Sequence, residues 1–324
     1  MNTTRVTINR YGGPDVMVLE TVHLADPAPG EVQMRQTAIG LNFMDIYQRS
    51  GSYQIPLPSP LGLEAAGVIT ALGKDVTGFS VGDRVVYAGL LGAYASHLNV
   101  TANRLIAIPD DIDDDIAAAV LMKGITVEYL LTRCYRIKPG QDVLFWAASG
   151  GVGQIAGQCG AHLGARMIGV TGGAANCTAI TQLGYDVAID RQTEDVAARV
   201  RELTDGKGVP VVYDSVGADS FYASINSLAP FGYLVSFGAT TGPAPDVSPH
   251  LLQTKGSLYF TRPTLANYMA ARDDLEQAAA TTFGLIRDGV LKVNINQRMP
   301  LSDIAAAHAA MAAGDTTGST VLVP

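Results

Sequence analysis

A run of small residues, Ala147-Ala148-Ser149-Gly150-Gly151-Val152-Gly153, carries the strongest chemical signal in the sequence. It follows the apolar segment Val143-Leu144-Phe145-Trp146 and precedes a segment of helical periodicity. Ala148, Gly150 and Gly153 match the pattern A-x-G-x-x-G of a dinucleotide-binding turn. Small residues there permit a tight turn and close approach to a pyrophosphate, and the helix N-terminus adds unpaired N–H groups. The context therefore predicts a dinucleotide site, with an ordinary loop turn as the alternative.

The end of the next predicted strand bears on which dinucleotide binds. Folds specific for NAD place a carboxylate there to receive the ribose hydroxyls, but this strand ends Gly169-Val170-Thr171-Gly172-Gly173 without an acid. That absence favours the 2′-phosphorylated cofactor NADPH. NADH stays open, because no Lys or Arg follows until Arg191, and Asp190 would oppose a phosphate if it pointed inward.

The elements around this turn alternate between apolar strands and helices, the βαβ pattern of a parallel, doubly wound sheet. Six strands form one dinucleotide-binding (Rossmann) fold. We predict strands over 142–147, 166–170, 187–190, 209–214, 233–237 and 257–261, and helices over 152–163, 174–183, 194–204 and 220–228.

The remainder of the chain predicts a second, mostly β domain of barrel or sandwich type. Short β-like runs separated by Gly and Pro turns fill the first hundred residues. Helical patterns over 265–288 and 301–313 and a last strand over 319–323 are expected to rejoin that domain. The expected boundaries are 1–121 and 265–324 for the mostly β domain and 122–264 for the Rossmann domain.

Composition excludes several classes of protein. The chain has 324 residues and a formal net charge of −8, which disfavours nucleic acid as a partner. Its three cysteines and five histidines show no disulfide framework and no zinc-ligand spacing. No apolar run approaches the roughly 18 residues of a membrane span, so we expect a cytoplasmic protein.

Ten segments, in order over nearly the whole chain, resemble a known family. They are Gly12-Gly13-Pro14-Asp15-Val16, Gly40-Leu41-Asn42-Phe43-Met44-Asp45, Arg49-Ser50-Gly51-Ser52-Tyr53, Glu64-Ala65-Ala66-Gly67-Val68, Gly82-Asp83-Arg84-Val85, Lys123-Gly124-Ile125-Thr126-Val127, the glycine turn, Tyr213-Asp214-Ser215-Val216-Gly217, Phe237-Gly238 and Thr261-Arg262-Pro263. The family is the zinc-free quinone oxidoreductases of the medium-chain dehydrogenase/reductase superfamily, including the zeta-crystallins. The resemblance implies a GroES-like substrate domain, a Rossmann domain, NADPH in the cleft, and a homodimer formed through the edge strand 257–261.

The resemblance also implies a set of site residues. Asn42, Tyr47, Tyr53 and Tyr129 are expected on the nicotinamide side, with Asn42, Tyr47 and Tyr53 as the catalytic set. The rest of the cofactor groove is expected to comprise Gly150, Gly151, Val152, Gly153, Gly172, Asn176, Asp190, Ser215, Gly217, Phe237, Gly238, Phe260 and Arg262. Bacterial relatives carry Lys in place of Asn176 and Tyr in place of Asp190, at positions that face the 2′-phosphate and adenine.

No metal is expected in the site. Zinc-dependent relatives place a histidine beside the glutamate of the second motif, where this chain reads Gly62-Leu63-Glu64. Without a metal, the site favours substrates that accept hydride easily, and a quinone does so because reduction makes its ring aromatic. Tyr47 and Tyr53 would then supply apolar walls and a hydroxyl, or simply pack within the β domain. Asp45 delivers a proton or caps a turn.

These observations predict an NADPH-dependent reductase of a small quinone. Two alternatives stay open. One is reduction of an activated C=C bond in an enal or enone, which the same fold and cofactor would serve. The other is a cofactor-bound binding protein with little catalysis.

Overall fold

The computed structural model of the chain describes residues 1–324. Its strands are β1 (Asn2–Ile8), β2 (Met17–His23), β3 (Glu31–Gly40), β4 (Ser59–Pro60), β5 (Glu64–Leu72), β6 (Arg84–Ala88), β7 (His97–Thr101), β8 (Ile106–Ala107), β9 (Asp142–Trp146), β10 (Arg166–Thr171), β11 (Val187–Asp190), β12 (Val209–Asp214), β13 (Leu228–Ser236), β14 (Tyr259–Thr261), β15 (Ile295–Pro300) and β16 (Ser319–Val323). Its helices are α1 (Phe43–Ser50), α2 (Asp114–Tyr129), α3 (Gly151–His162), α4 (Ala174–Thr181), α5 (Val196–Leu203), α6 (Phe221–Ser227), α7 (Pro249–Thr254), α8 (Leu265–Tyr268), α9 (Arg272–Arg287) and α10 (Ile304–Ala313).

The chain divides into two compact units. Unit 1 comprises residues 1–125, 269–284 and 293–324, and unit 2 comprises residues 126–268 and 285–292. Each unit has its own apolar core. The sequence predicts domain boundaries at residues 121 and 264. These stay predictions, separate from the division into units 1 and 2.

Unit 2 contains one six-stranded sheet in the order β11-β10-β9-β12-β13-β14. Every neighbouring pair in it is parallel. Counted from β9 the order is 3-2-1-4-5-6, which is the order of dinucleotide-binding folds. The central strands β9, β10 and β12 are largely apolar and buried, as is typical of a parallel sheet. The predicted Rossmann sheet is therefore confirmed.

Unit 1 is mostly β, as the turn-rich sequence predicts. Its main sheet follows the path β15-β16-β3-β5-β6-β8, with β7 also paired to β3, and a three-stranded sheet has the order β2-β1-β4. The last strand, β16, pairs antiparallel with β3 through Leu322 opposite Ile39. The prediction that the C-terminal strand rejoins the first domain is thus confirmed. The sequence reading missed β15, whose segment Ile-Asn-Gln-Arg-Met-Pro has little apolar alternation.

The single helix predicted over residues 265–288 is wrong, since α8 and α9 are separate helices. The Met269 carbonyl, directly after α8, accepts a hydrogen bond from Arg104 Nη1 at 2.7 Å. Asp273 and Asp274 stand in the first turn of α9, where negative charge favours a helix start. The residue that follows α8 is thus bonded to a segment far away in sequence, where the helical pattern predicted one continuous helix.

A buried carboxylate fixes the loop after β12. Asp214 is only 2% exposed, and its Oδ1 accepts the amides of Val216 at 2.8 Å and Gly217 at 3.2 Å. Ser220 Oγ lies 2.7 Å from both carboxylate oxygens, and Ser224 Oγ donates to Oδ2 at 2.6 Å. The charge is compatible with burial because several donors replace its hydration.

We expect Asp214→Ala to destabilise the protein by at least about 3 kcal/mol, because it strands several buried donors that each cost about 1–3 kcal/mol when unpaired. Urea unfolding measures this loss. Asp219→Ala, an exposed acid in the same loop, is the matched control and should change stability by less than about 0.5 kcal/mol. Equal effects of the two substitutions would contradict the role assigned to Asp214.

Candidate functional site

The glycine turn between β9 and α3 has a geometry that only small residues permit. Ala147 adopts a positive φ of 54°, and the Gly150 amide donates to the Ala147 carbonyl at 3.0 Å. A Cβ on Gly153 would overlap the Ala147 carbonyl oxygen and lie 2.6 Å from the Ala148 Cα. Because both obstacles are backbone, neither can move aside cheaply. The turn therefore requires glycine at position 153.

The N-terminus of α3 offers donors to an anion. No side chain caps it, so the amides of Gly151, Val152 and Gly153 in its first turn have no partner within the helix. Below the turn, the Tyr185 hydroxyl donates to the Gly153 carbonyl at 2.7 Å, which holds the helix start in place. Unpaired amides, a positive dipole end and a glycine-lined approach fit the pyrophosphate of a dinucleotide.

The loop after β10 lies at the same carboxyl edge of the sheet. The Asn176 side-chain amide donates to the Gly172 carbonyl at 2.9 Å, so Asn176 caps backbone. Asp190 Oδ1 accepts the Gly173 amide at 2.9 Å and the Gln192 amide at 3.0 Å. These bonds to the ionised form lower the pKa of Asp190 below its ordinary value. A carboxylate therefore stands on this loop, although β10 itself ends without one.

The carboxyl ends of β12 and β13 bring together another group of the predicted residues. Gly217 has a φ of 95°, and a Cβ on Gly238 would lie 2.7 Å from the Ser215 Cα. Arg262 Nη1 donates to the carbonyls of Ser236 at 2.8 Å and Gly238 at 2.7 Å. The loops after β12 and β13 therefore approach each other closely at Gly238, and the Arg262 guanidinium is bonded to the end of β13.

Three predicted cofactor residues are aromatic and make packing contacts. Tyr129 is 3% exposed and stacks on Tyr268, with ring centroids 4.4 Å apart and a 10° angle between planes. Phe237 packs on Phe145 with centroids 5.5 Å apart. Phe260 meets Phe221 edge to face at 6.2 Å. Each has a structural partner, so a role toward a cofactor stays a prediction for all three.

In unit 1, Asn42 stands at the start of α1 and is 7% exposed. Its side-chain amide donates to Glu64 Oε2 at 2.9 Å, and its backbone amide donates to Asp45 Oδ2 at 2.9 Å. Two acids therefore fix the orientation of one predicted catalytic residue.

Tyr47 and Tyr53 form an aromatic pair with centroids 5.2 Å apart. Tyr47 is 8% exposed and also packs against Phe43, whereas Tyr53 is 38% exposed. The Tyr53 amide donates to the Tyr47 carbonyl at 3.1 Å, which ties the two together. Tyr47 thus supports the ring of Tyr53, and Tyr53 presents apolar surface outward.

A chain of hydrogen bonds that the sequence did not predict runs through the core of unit 1. The Tyr94 hydroxyl donates to Asp45 Oδ2 at 2.7 Å and lies 3.0 Å from His308 Nε2. Because Tyr94 has one proton, the pattern assigns His308 as donor at Nε2 and as acceptor at Nδ1 from Arg49 Nη1, 3.4 Å away. Burial raises the pKa of Asp45 to about 7, and burial together with Arg49 lowers that of His308 to about 3. His308 lies on α10 and is fully buried, and the spacing of the histidines in the sequence did not indicate its place in this network.

Glu64 and Lys123 form a second buried polar pair. Lys123 Nζ lies 3.5 Å from Glu64 Oε2, and the Met122 amide donates to Glu64 Oε1. Burial raises the pKa of Glu64, and the charge of Lys123 opposes that rise. A weak signal for this pair is present in the sequence, since Lys123 directly follows the apolar run 116–122 and a buried Lys needs a partner.

Comparison with known proteins places this geometry in a family. The alcohol dehydrogenase GroES-like domain matches residues 28–110, and the zinc-binding dehydrogenase model matches residues 151–282. A quinone oxidoreductase of Pseudomonas aeruginosa is 49% identical over 323 residues, 99% of each chain. The chain belongs to the quinone oxidoreductase family.

Two further proteins similar to this chain bear on its cofactor and its substrate. The structure of Escherichia coli quinone oxidoreductase complexed with NADPH has 44% sequence identity and a TM-score of 0.97, covering 99% of this chain and 100% of that one. A 2-haloacrylate reductase of Burkholderia sp. is 40% identical over 330 residues, 98% of each chain. The family, the GroES-like and Rossmann fold, and the oxidoreductase class predicted from the sequence are confirmed.

One of the two matching families is described as zinc-binding, but this chain has no cluster of side chains that could ligate zinc. No group of three or more His, Cys, Asp or Glu side chains is placed to hold a metal ion. Leu63, beside Glu64, is 5% exposed and has no ligating atom. None of the helices has both the length and the apolar character that a bilayer crossing demands.

The pKa of Asp45 predicts how stability depends on pH. Unfolded, Asp45 loses its proton near its ordinary pKa of 3.8, whereas folded it keeps the proton up to about pH 7. Ionisation of Asp45 therefore makes folding less favourable as the pH rises from about 4 to 7. Asp45→Asn removes this penalty. Its free energy of unfolding should therefore rise by about 3 kcal/mol relative to that of the wild type as the pH is raised from 5 to 8.

Chemical unfolding of both proteins at the two pH values measures this gain. Glu64 and His308 are present in both, so their titration largely cancels in the difference. Asp26→Asn, an exposed acid of the same unit, should change stability by less than about 0.5 kcal/mol at either pH. A constant difference between wild type and Asp45→Asn from pH 5 to pH 8 would show that Asp45 is not a buried, protonated acid.

Proposed function

We propose that the chain is an NADPH-dependent reductase that transfers hydride to a small quinone without a bound metal. The observation that carries the proposal is the uncapped start of α3 behind the turn Ala148-x-Gly150-x-x-Gly153, at the carboxyl edge of a 3-2-1-4-5-6 sheet. Full-length similarity to quinone oxidoreductases, one of them solved with NADPH, supports the choice of cofactor and substrate class. A cytoplasmic location belongs to the same proposal, because all three cysteines are free thiols.

The residues of unit 2 are proposed to hold the cofactor. The amides of Gly151, Val152 and Gly153 would bind the pyrophosphate, since they are unpaired donors at a helix N-terminus. Gly217 and Gly238 would shape the rest of the groove, since they let the loops after β12 and β13 pack closely at the carboxyl ends of their strands. When bound, the reduced nicotinamide supplies the hydride.

The residues of unit 1 are proposed to orient the substrate. Tyr53 would offer an apolar wall, with Tyr47 packed behind it, and a tyrosine hydroxyl would donate to the oxygen that gains negative charge. Asn42 would act from a fixed position, because Glu64 and Asp45 hold its side chain and backbone. Correct orientation is the main contribution open to the protein here, since no metal polarises the substrate.

A second candidate reaction is reduction of an activated C=C bond. The 40% identical 2-haloacrylate reductase favours it, because that relative matches 98% of this chain and its name describes an activated alkene as substrate. Both reactions need the same hydride donor and differ only in the acceptor.

Turnover with a panel of acceptors distinguishes these candidates. We expect the loss of NADPH absorbance to be fast with 1,4-quinones of modest size and at least about tenfold slower with enones and 2-haloacrylate. EDTA should leave the rate unchanged. Gly153→Ala should reduce NADPH affinity by at least about tenfold, because its methyl group displaces the turn.

Gly284→Ala is the matched control for Gly153→Ala. It lies within α9 where a Cβ meets nothing within 4 Å, so cofactor affinity should not change. Faster turnover of enones than of quinones would favour the second candidate, and no NADPH oxidation with any acceptor would contradict both. Loss of activity in EDTA would contradict the metal-free proposal.

We also propose a homodimer formed through the edge strand of the unit 2 sheet. β14 has a neighbour on one side only, and Tyr259 on it is 52% exposed while stacking on Tyr233 at 4.4 Å. An unpaired strand edge with an exposed aromatic side chain is suited to pairing with a second copy. Analytical ultracentrifugation should give about twice the 33.9 kDa chain mass, and Tyr259→Pro should lower it to that of one chain. A wild-type monomer at micromolar concentration would contradict this proposal.

A further inference from the structure

Asp190 connects the third strand of the Rossmann sheet to the loop that follows the second strand. It is the last residue of β11 and pairs in register with Thr171, the last residue of β10. Its Oδ1 accepts the amides of Gly173 and Gln192, and no hydrogen bond within the chain uses its Oδ2. One carboxylate oxygen therefore anchors the loop, and the other is open to a ligand.

The position matters because dinucleotide-binding folds read the adenosine ribose at the end of the second strand. An acid there accepts the ribose hydroxyls of NADH, and an Arg there accommodates the 2′-phosphate of NADPH. In this chain β10 supplies no acid, but Asp190 brings one to the same loop from the neighbouring strand. The two amide bonds favour its ionised form, as the lowered pKa of Asp190 records.

A cation stands on the same loop. A Cβ built on Gly172 would lie 3.5 Å from Arg191 Nε and 3.6 Å from Arg191 Nη2, so the guanidinium lies over Gly172. The Arg191 amide donates to the Thr171 carbonyl at 2.9 Å. Glu194 adds a second carboxylate nearby, since its Oε1 accepts the Asp190 amide at 2.9 Å. Glu194 Oε2 in turn lies 3.5 Å from Arg199 Nε, so Asp190 and Arg191 are the two charges on this loop that a 2′-phosphate would meet.

We propose that Asp190 sets the cofactor preference of this enzyme, with its free carboxylate oxygen accepting a ribose hydroxyl of NADH and its charge weakening the grip on the 2′-phosphate of NADPH. The result is dual cofactor use, in which Arg191 retains affinity for NADPH. This inference rests on the proposed nicotinamide-dependent function. Asn176 contributes no charge, because its side-chain amide is neutral and bonded to the Gly172 carbonyl.

Calorimetry with NADPH and NADH on the full chain tests the proposal through affinity alone. We expect the wild type to bind the two nucleotides within about tenfold of each other. Asp190→Asn keeps an oxygen for the Gly173 and Gln192 amides but removes the charge, and should shift the affinity ratio toward NADPH by about tenfold at low ionic strength. Arg191→Ala should shift the ratio toward NADH by a similar factor.

Asp186, at the other end of β11 from Asp190, is a matched control. Asp186 lies just before β11, at the opposite edge of the sheet, and its Oδ2 accepts the Met167 amide at 2.8 Å. Asp186→Asn therefore makes the same chemical change on a carboxylate that also holds backbone, and should leave the affinity ratio unchanged. Asp190→Ser, which also retains an oxygen acceptor, replaces Asp190→Asn if that variant does not fold.

The outcomes separate this inference from the proposed function. A wild type that binds NADPH more than about a hundredfold tighter than NADH, or an unchanged ratio in the Asp190 variants, would overturn the role of Asp190 and leave the reductase proposal standing. Binding of neither nucleotide by the wild type would overturn the proposed function itself. The same titrations with adenosine 2′,5′-bisphosphate and adenosine 5′-monophosphate should reproduce the shift, since these fragments differ at the 2′ position alone.

Discussion

Helix α3 reaches the carboxyl edge of its sheet because one of its faces carries no side chains. A Cβ on Gly153 would overlap the turn backbone, one on Gly157 would overlap the Leu183 carbonyl and the Tyr185 ring, and one on Gly160 would overlap the Met167 side chain. Spacings of four and three residues place these glycines on one face. The helix therefore packs closely on the sheet, and its N-terminal amides stand beside the loops that end β10, β12 and β13. The pyrophosphate-binding role proposed for unit 2 depends on this packing.

The loops around that helix start are held by carboxylates rather than by apolar packing. Asp190 and Asp214 each end a strand and each accept two backbone amides through one oxygen. The two residues differ in the surroundings of the second carboxylate oxygen. Asp214 is buried and its second oxygen accepts serine hydroxyls, whereas Asp190 is partly exposed and its second oxygen has no partner in the chain. The same chemical device thus serves architecture in one loop and leaves a ligand position in the other.

Unit 1 uses buried polarity for a different purpose. Asp45, Glu64, Lys123 and His308 are all withdrawn from water, and burying such groups costs free energy that apolar residues of the same size would not. The arrangement fixes the orientation of Asn42, because Glu64 accepts a hydrogen bond from its side chain and Asp45 accepts one from its backbone amide. From Asp45, the series of hydrogen bonds continues through the Tyr94 hydroxyl to the ring of His308. A buried network with few alternative partners fixes orientation more strictly than apolar contacts do.

The sequence by itself determined the features that depend on neighbours along the chain. The turn at Ala148, Gly150 and Gly153 and the alternation of strands and helices were readable because backbone conformation and periodicity are local properties. The tertiary structure decided the rest. The hydrogen bond from Arg104 to the Met269 carbonyl, between α8 and α9, joins residues far apart in sequence. The burial of His308 depends on Tyr94 and Arg49, and the carboxylate on the loop after β10 comes from the next strand. Such contacts join residues that only folding brings together, so no local pattern could announce them.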